Sequence, residues 1–249
     1  MPRMHASTSL ALAVSALALL ACGDPTSTAG RSVPPASPHA PMESPAPTET
    51  DWITLFDGTD PAAQWRGFRQ AEFPSGWEVR DGCLVHVGPG GGDIVTRRAF
   101  GSFELELDWK VTPGGNSGIF YHVSEDMPNT WETGPEMQIL DDGTHQDGKD
   151  RLTCAGADYA LYPAPLGAVK PVGQWNRARI LVEGMHVRYW LNGVKTADFV
   201  RGSDDWKARV AASKFSRMPG YAKHARGHIA LQDHGDEVWF RNIRVRPLD

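Results

Sequence analysis

Basic charge is in short supply. The chain sets 25 Lys and Arg against 30 Asp and Glu, a formal net charge of −5 over 249 residues. A protein that grips a phosphate backbone carries a cationic surplus, so nucleic acid is not an expected partner. Cysteine is scarce: Cys22, Cys83 and Cys154 are the only three, and the odd number leaves one thiol over. Helical stretches do not alternate with strand-like ones, which excludes a βαβ architecture. No internal repeat and no second linker divides the chain. Tyrosine is outnumbered, with five Tyr against nine Trp. Tryptophan either fills a core or forms flat platforms for sugar rings, and core filling is the default for any one of them.

The N-terminal segment reads as address and tether. Arg3 precedes an apolar run over residues 10–20 that is too short to span a bilayer and has signal-peptide anatomy. It ends in Leu19-Leu20-Ala21-Cys22, which matches the bacterial lipobox. Residues 1–21 are the expected signal, and Cys22 is the expected lipidation site. Several acyl chains on one residue give stable anchoring where one alone is marginal. Residues 22–50 are rich in Pro, Ser, Thr and Ala. Such a segment buries too little apolar surface to offset its ordering entropy and reads as a disordered, extended linker. The expected location is the bacterial cell envelope, with Gly23 after Cys22 favouring the outer membrane. The lipid is the only membrane contact expected. Cys83 and Cys154 remain as either one disulfide or two buried thiols.

Residues 51–249 read as one all-β domain. The segment Phe103-Glu-Leu-Glu-Leu-Asp-Trp-Lys110 alternates strictly, with Phe103, Leu105, Leu107 and Trp109 on one face. Asp81-Gly82 and Asn192-Gly193 each sit between apolar-periodic runs and predict tight hairpins over 77–87 and 186–199. Residues 180–182, 228–233 and 238–245 predict further strands. One short helix is expected after Ser203, which caps it, with Asp204 and Asp205 in its first turn. Many short strands without crossover helices imply a two-sheet antiparallel sandwich.

Four segments carry polar residues that a plain sandwich does not need. Gly114-Gly-Asn116-Ser-Gly118 allows a turn or a close backbone approach to a ligand, and Tyr121 follows it. In Glu136-Met-Gln138-Ile-Leu140, a strand puts Glu136 and Gln138 on one face and Met137 and Ile139 on the other. The next turn carries Asp141, Asp142 and His145, a weak match for a divalent-cation site. Ser213-Lys214-Phe215 follows the short helix. In the run 227–235, alternation puts His228, Gln232 and His234 on one face, opposite Ile229 and Leu231.

In this order these segments, with Leu55-Phe-Asp-Gly58, Trp190-Leu-Asn-Gly193 and the closing stretch 238–244, resemble the 3-keto-disaccharide hydrolase domain family over essentially the whole folded part. The resemblance implies a concanavalin A-like jelly roll. It also implies a carbohydrate substrate, cleaved where the sugar carries a ketone at C3. Such a ketone acidifies the C2 hydrogen. A base removes it, the aglycone leaves C1 by elimination, and water adds back. The route needs a base, an acid and a group that holds the enolate oxygen. It does not need the paired carboxylates of a retaining glycosidase. Sandwich glucanases carry acids at i, i+2 and i+4 of one strand, and here those places hold Glu136, Gln138 and Leu140. On this reading Glu136 or a site histidine is the base, and His145 or His234 the acid. Lys214 or a bound divalent cation, with Asp141 and His145 as candidate ligands, holds the enolate. Asn116, Tyr121, Gln138, His228 and Gln232 bind hydroxyls. The competing expectation is a carbohydrate-binding module without catalysis.

Overall fold

The computed structural model describes residues 51–249; the signal, Cys22 and linker readings lie outside them. Among the described residues thirteen strands form two antiparallel sheets, and there is one α-helix, α1 (Asp204–Ala212). The large sheet runs β11 (Val194–Val200), β10 (His186–Leu191), β9 (Asn176–Glu183), β6 (Phe103–Val111), β13 (Val238–Pro247), β4 (Cys83–His86) and β3 (Trp77–Arg80), with β1 (Ile53–Phe56) also paired to β13. The small sheet runs β2 (Trp65–Gly67), β5 (Ile94–Thr96), β12 (His228–Leu231), β7 (Asn116–Val123) and β8 (Glu136–Leu140).

The alternating β6 is the centre of the large sheet. Phe103, Leu105, Leu107 and Trp109 are fully buried between the sheets, facing Ile119, Met137, Ile139, Ile229 and Leu231 of the small one. Both XG turns form as expected: φ is +52° and +70° at Asp81 and Gly82, and +53° and +83° at Asn192 and Gly193. Positive φ at both central residues gives the twist that two antiparallel strands require. Gly114 (φ +76°) opens the turn between β6 and β7. Those strands lie in different sheets, so this turn carries the chain across the sandwich rather than closing a hairpin. Ser203 caps α1 by accepting a hydrogen bond from the Trp206 amide (3.1 Å).

The nine tryptophans divide by place. Trp65, Trp77 and Trp109 fill the core. Trp52, Trp175, Trp190 and Trp239 lie half-buried under Arg or Lys side chains, Arg241 over Trp175 at 4.0 Å and Arg179 over Trp190 at 4.2 Å. Trp206 stacks nearly parallel to Tyr221. Trp131 faces the cavity described below. Cys83 and Cys154 are separate buried thiols. Burial pushes the Cys154 thiol up to about 11, which leaves it an inert apolar side chain at neutral pH.

Candidate active site

The outer face of the small sheet is hollow. A cavity of about 440 Å³ opens over β7 and β8, roofed by the segments that follow β8 and α1. Strand alternation aims the first side chains into it. With Met137 and Ile139 in the core, Glu136 and Gln138 of β8 must point outward, and both line the cavity. Asn116 joins them from β7, where it pairs with Leu140.

Glu136 is 7 % exposed, and its carboxyl makes no hydrogen bond or ion pair among the described residues. Burial, with Asp93, Asp158 and Asp147 adding negative charge nearby, pushes its pKa up to about 8, against an attraction from Lys214. It lies over Gly118 of β7. A β-carbon there would stand 2.2 Å from a Glu136 carboxyl oxygen, so glycine is what lets the side chain cross its neighbour strand. The Asn116 side-chain oxygen and the Gln232 side-chain oxygen are buried and have no partner among the described residues. Unpaired acceptors at a cavity wall are costly unless a ligand donor meets them.

Lys214 is held by its neighbours. The Ser213 hydroxyl accepts from the Phe215 amide (3.2 Å) and starts a 3-10 turn. Phe215 is buried and stacks on Tyr221 at 3.9 Å, which turns Lys214 toward the cavity. Its ammonium nitrogen lies 4.3 Å from the Tyr159 ring centre and 5.9 Å from that of Trp131. The open cavity leaves Lys214 solvent-exposed, yet the protein crowded around it lowers its pKa, against attraction from Glu136 and Asp147. His234 is exposed at the same cavity.

Thus Glu136, Lys214, His234, Asn116, Gln138 and Gln232 come together, and four other expectations do not. Tyr121 points into the core, fully buried, with its hydroxyl 3.2 Å from that of Tyr189. It follows Phe120, which faces outward, so the strand period sends it inward. His145 caps the 3-10 turn Gln146–Lys149, its Nδ1 accepting from the Asp147 amide (3.1 Å), and it does not line the cavity. His228 sits at the far end of β12 beyond a register shift, 2.6 Å from the Thr96 carbonyl. Asp141 ties a loop: it accepts from the amides of Gly114 (2.8 Å) and Gly143 (2.9 Å) and from the Thr144 hydroxyl. Its oxygens are therefore occupied, and no group of three His, Cys, Asp or Glu among the described residues is arranged to hold a metal.

Sequence reading missed Asp93, Trp131, Asp147, Tyr159 and Asp233, all of which line the cavity. Asp93 accepts from the Thr130 hydroxyl and from the Asp233 amide (2.9 Å), and burial raises its pKa. Asp233 accepts from the amides of Gly92 (2.7 Å) and Gly235 (2.9 Å) and lies 3.0 Å from His86 Nε2. Asp147 accepts from the Tyr159 hydroxyl (3.4 Å). These three carboxylates are engaged with the protein, and Glu136 is the cavity acid left free. Tyr159 is brought in by its amide, which donates to the Glu136 carbonyl (3.0 Å) and extends the edge of β8.

Known proteins resemble this chain in sequence and fold. Residues 51–246 match the family model described as the 3-keto-alpha-glucoside-1,2-lyase-like domain. A protein of Bacteroides thetaiotaomicron named 3-keto-disaccharide hydrolase is 38% identical over 236 residues, covering 82% of this chain and 81% of its own. A crystal structure from Parabacteroides distasonis ATCC 8503, assigned there as a glycosyl hydrolase, superposes with a TM-score of 0.75 at 35% identity, over 82% of this chain and 99% of that one. A Bacillus subtilis protein with a galectin-like fold gives 0.53 at 13% identity, over 78% of this chain and 93% of that one, a likeness of fold alone. The sandwich with its charged hollow is thus an enzyme of the hydrolase class, not a passive scaffold. Within that class, the chain belongs to the 3-keto-alpha-glucoside-1,2-lyase-like domain family.

Proposed function

We propose that this chain cleaves glycosides whose sugar is oxidised to a ketone at C3, by elimination across C1 and C2 followed by hydration. The observation that carries the reading is Glu136: a buried carboxyl with no protein partner, in a cavity whose other carboxylates are engaged. A general base works best with a pKa near the working pH, and burial brings Glu136 there. It takes the C2 hydrogen. Lys214 stands at the ketone oxygen, and His234 delivers the proton to the leaving oxygen. Asn116, Gln232 and Gln138 meet sugar hydroxyls, two of them with acceptors that have no other donor among the described residues. The relative named for 3-keto-disaccharides supports this substrate class. An oxocarbenium route would need a second free carboxylate beside Glu136. The test is to offer a 3-keto-glucoside and the unoxidised glucoside side by side. Release of aglycone from the oxidised one alone is expected; equal release from both would refute the reading.

We further propose that the enzyme is held at the bacterial envelope through a lipid on Cys22. The apolar run, the Leu-Ala-Cys ending and the Pro- and Ser-rich segment support it. A Cys22→Ala variant is expected in the soluble fraction, and unchanged membrane association would contradict the tether.

A further inference from the structure

We infer that Lys214 acts on the substrate ketone as an amine nucleophile, forming a transient imine at C3, rather than as a fixed positive charge beside the oxygen. This rests on the 3-keto-glycoside reading above. Lys214 differs from the paired arginines among the described residues. Arg66, Arg177, Arg179, Arg241, Arg244 and Arg246 each pair with a carboxylate at 3.3 Å or less. Lys214 makes no hydrogen bond or ion pair among the described residues. Its nitrogen is ringed by Tyr159 at 4.3 Å, Phe215 at 5.3 Å and Trp131 at 5.9 Å. A ring face gives a cation some support, but it neither fixes the ammonium by a hydrogen bond nor blocks its lone pair.

The cavity opens on the same nitrogen, so a sugar seated there expels the water that solvates the charge. Desolvation in an aromatic pocket is a recognised way of freeing a lysine amine for attack on a carbonyl. Burial already acts on Lys214 in that direction. Glu136 shares the cavity and is held toward its protonated form, so it can receive and return the protons the steps require. An arginine would serve as well as lysine for a charge alone, but its guanidinium stays protonated and cannot attack.

The steps balance. The neutral amine adds its lone pair to C3, and the ketone oxygen takes one proton from the attached nitrogen and a second from Glu136 and leaves as water. The resulting iminium draws electrons from C2. The Glu136 carboxylate removes the C2 hydrogen, and the enamine pair expels the aglycone oxygen from C1, which takes a proton from His234. Water then hydrolyses the conjugated iminium, freeing the neutral Lys214 amine and the 3-keto-1,2-ene, and the proton released returns to His234. The water lost in forming the imine is regained in its hydrolysis.

Trapping tests this on the full chain. Wild-type protein is incubated with methyl 3-keto-α-glucoside and sodium cyanoborohydride, which reduces iminium ions. Reductant-dependent inactivation is expected, with a sugar-derived adduct mapped by peptide mass spectrometry to Lys214. Lys214→Arg, which keeps the charge, is expected to lose turnover as fully as Lys214→Ala. Turnover of the ketone by wild type with no adduct, or an active Lys214→Arg, would overturn the imine while leaving the substrate reading in place. No methanol release from the ketone by wild type would overturn both.

Discussion

The two outer faces of the sandwich use the same residue types to opposite ends. On the large sheet, β6 presents Glu104, Glu106 and Asp108, and nearly every charge has a partner. Glu104 takes Arg179 and Arg246, Glu106 takes Arg177 and Arg244, and Asp108 takes Arg241 and the Asn242 amide. The tryptophans of that face lie under cations. Over the small sheet, and among the described residues, Glu136 and Lys214 are unpaired, and Asn116 and Gln232 hold buried acceptors with no donor. A surface that satisfies itself has nothing left for a ligand. A surface that leaves a carboxyl, an amine and two amide oxygens open to one hollow is less stable alone and needs an occupant to complete it. Function here is read from missing partners rather than from residue types.

The largest effects that sharpen this contrast are on rate. Glu136→Gln should cost roughly a hundredfold or more in kcat, since it removes the base, while the fold stands because the carboxyl binds no protein group. Glu104→Gln, on the other face, should leave turnover unchanged. His234→Ala is expected to lose roughly a hundredfold with a good substrate, and less when the leaving group needs no proton. A difference between alkyl and nitrophenyl aglycones measures that. Near-normal rates in both Glu136→Gln and His234→Ala would erase the distinction between the faces.

Effects on stability should run the other way. Glu104→Ala strips the partner from two arginines and is expected to cost about 1–2 kcal/mol in denaturant unfolding. Glu136 should behave in reverse. Burial raises its folded pKa to about 8, above the ordinary glutamate value of 4.5. Between those values the unfolded chain has released a proton that the folded one keeps, so stability falls as pH rises through that window. Glu136→Gln should therefore match wild type near pH 4 and exceed it by about 1 kcal/mol or more at pH 8. The smallest effects belong to His145→Ala and His228→Ala. Neither side chain reaches the cavity, and turnover within about twofold of wild type is expected, read in the same assay. A large loss in either would bring that histidine back to the chemistry.

How much of this was legible in the sequence follows from the range of the forces involved. The β6 alternation and the two XG turns are local, so both appear in the folded chain at the positions expected. Glu136 and Gln138 were legible as a pair because their neighbours Met137 and Ile139 are apolar and the period is two. Tyr121 and His145 lie close to site residues in sequence but not in space, and alternation does not hold as far as His228. His145 spends its ring nitrogen on a turn, and His228 is carried away by a register shift. Asp233 lies beyond the end of β12 at Leu231, where alternation no longer applies. Asp93 and Tyr159 reach the cavity through bonds to Asp233, Thr130 and the Glu136 carbonyl, and no local pattern encodes such contacts.

One assay bears most directly on the claim that an unpaired Glu136 makes the hollow catalytic. Wild type and Glu136→Gln are each given a 3-keto-glucoside and the matching unoxidised glucoside, and aglycone release is followed. Release is expected from the ketone with wild type alone, while the variant still binds the sugar. Undiminished release by Glu136→Gln, or equal release of the unoxidised glucoside by wild type, would contradict it.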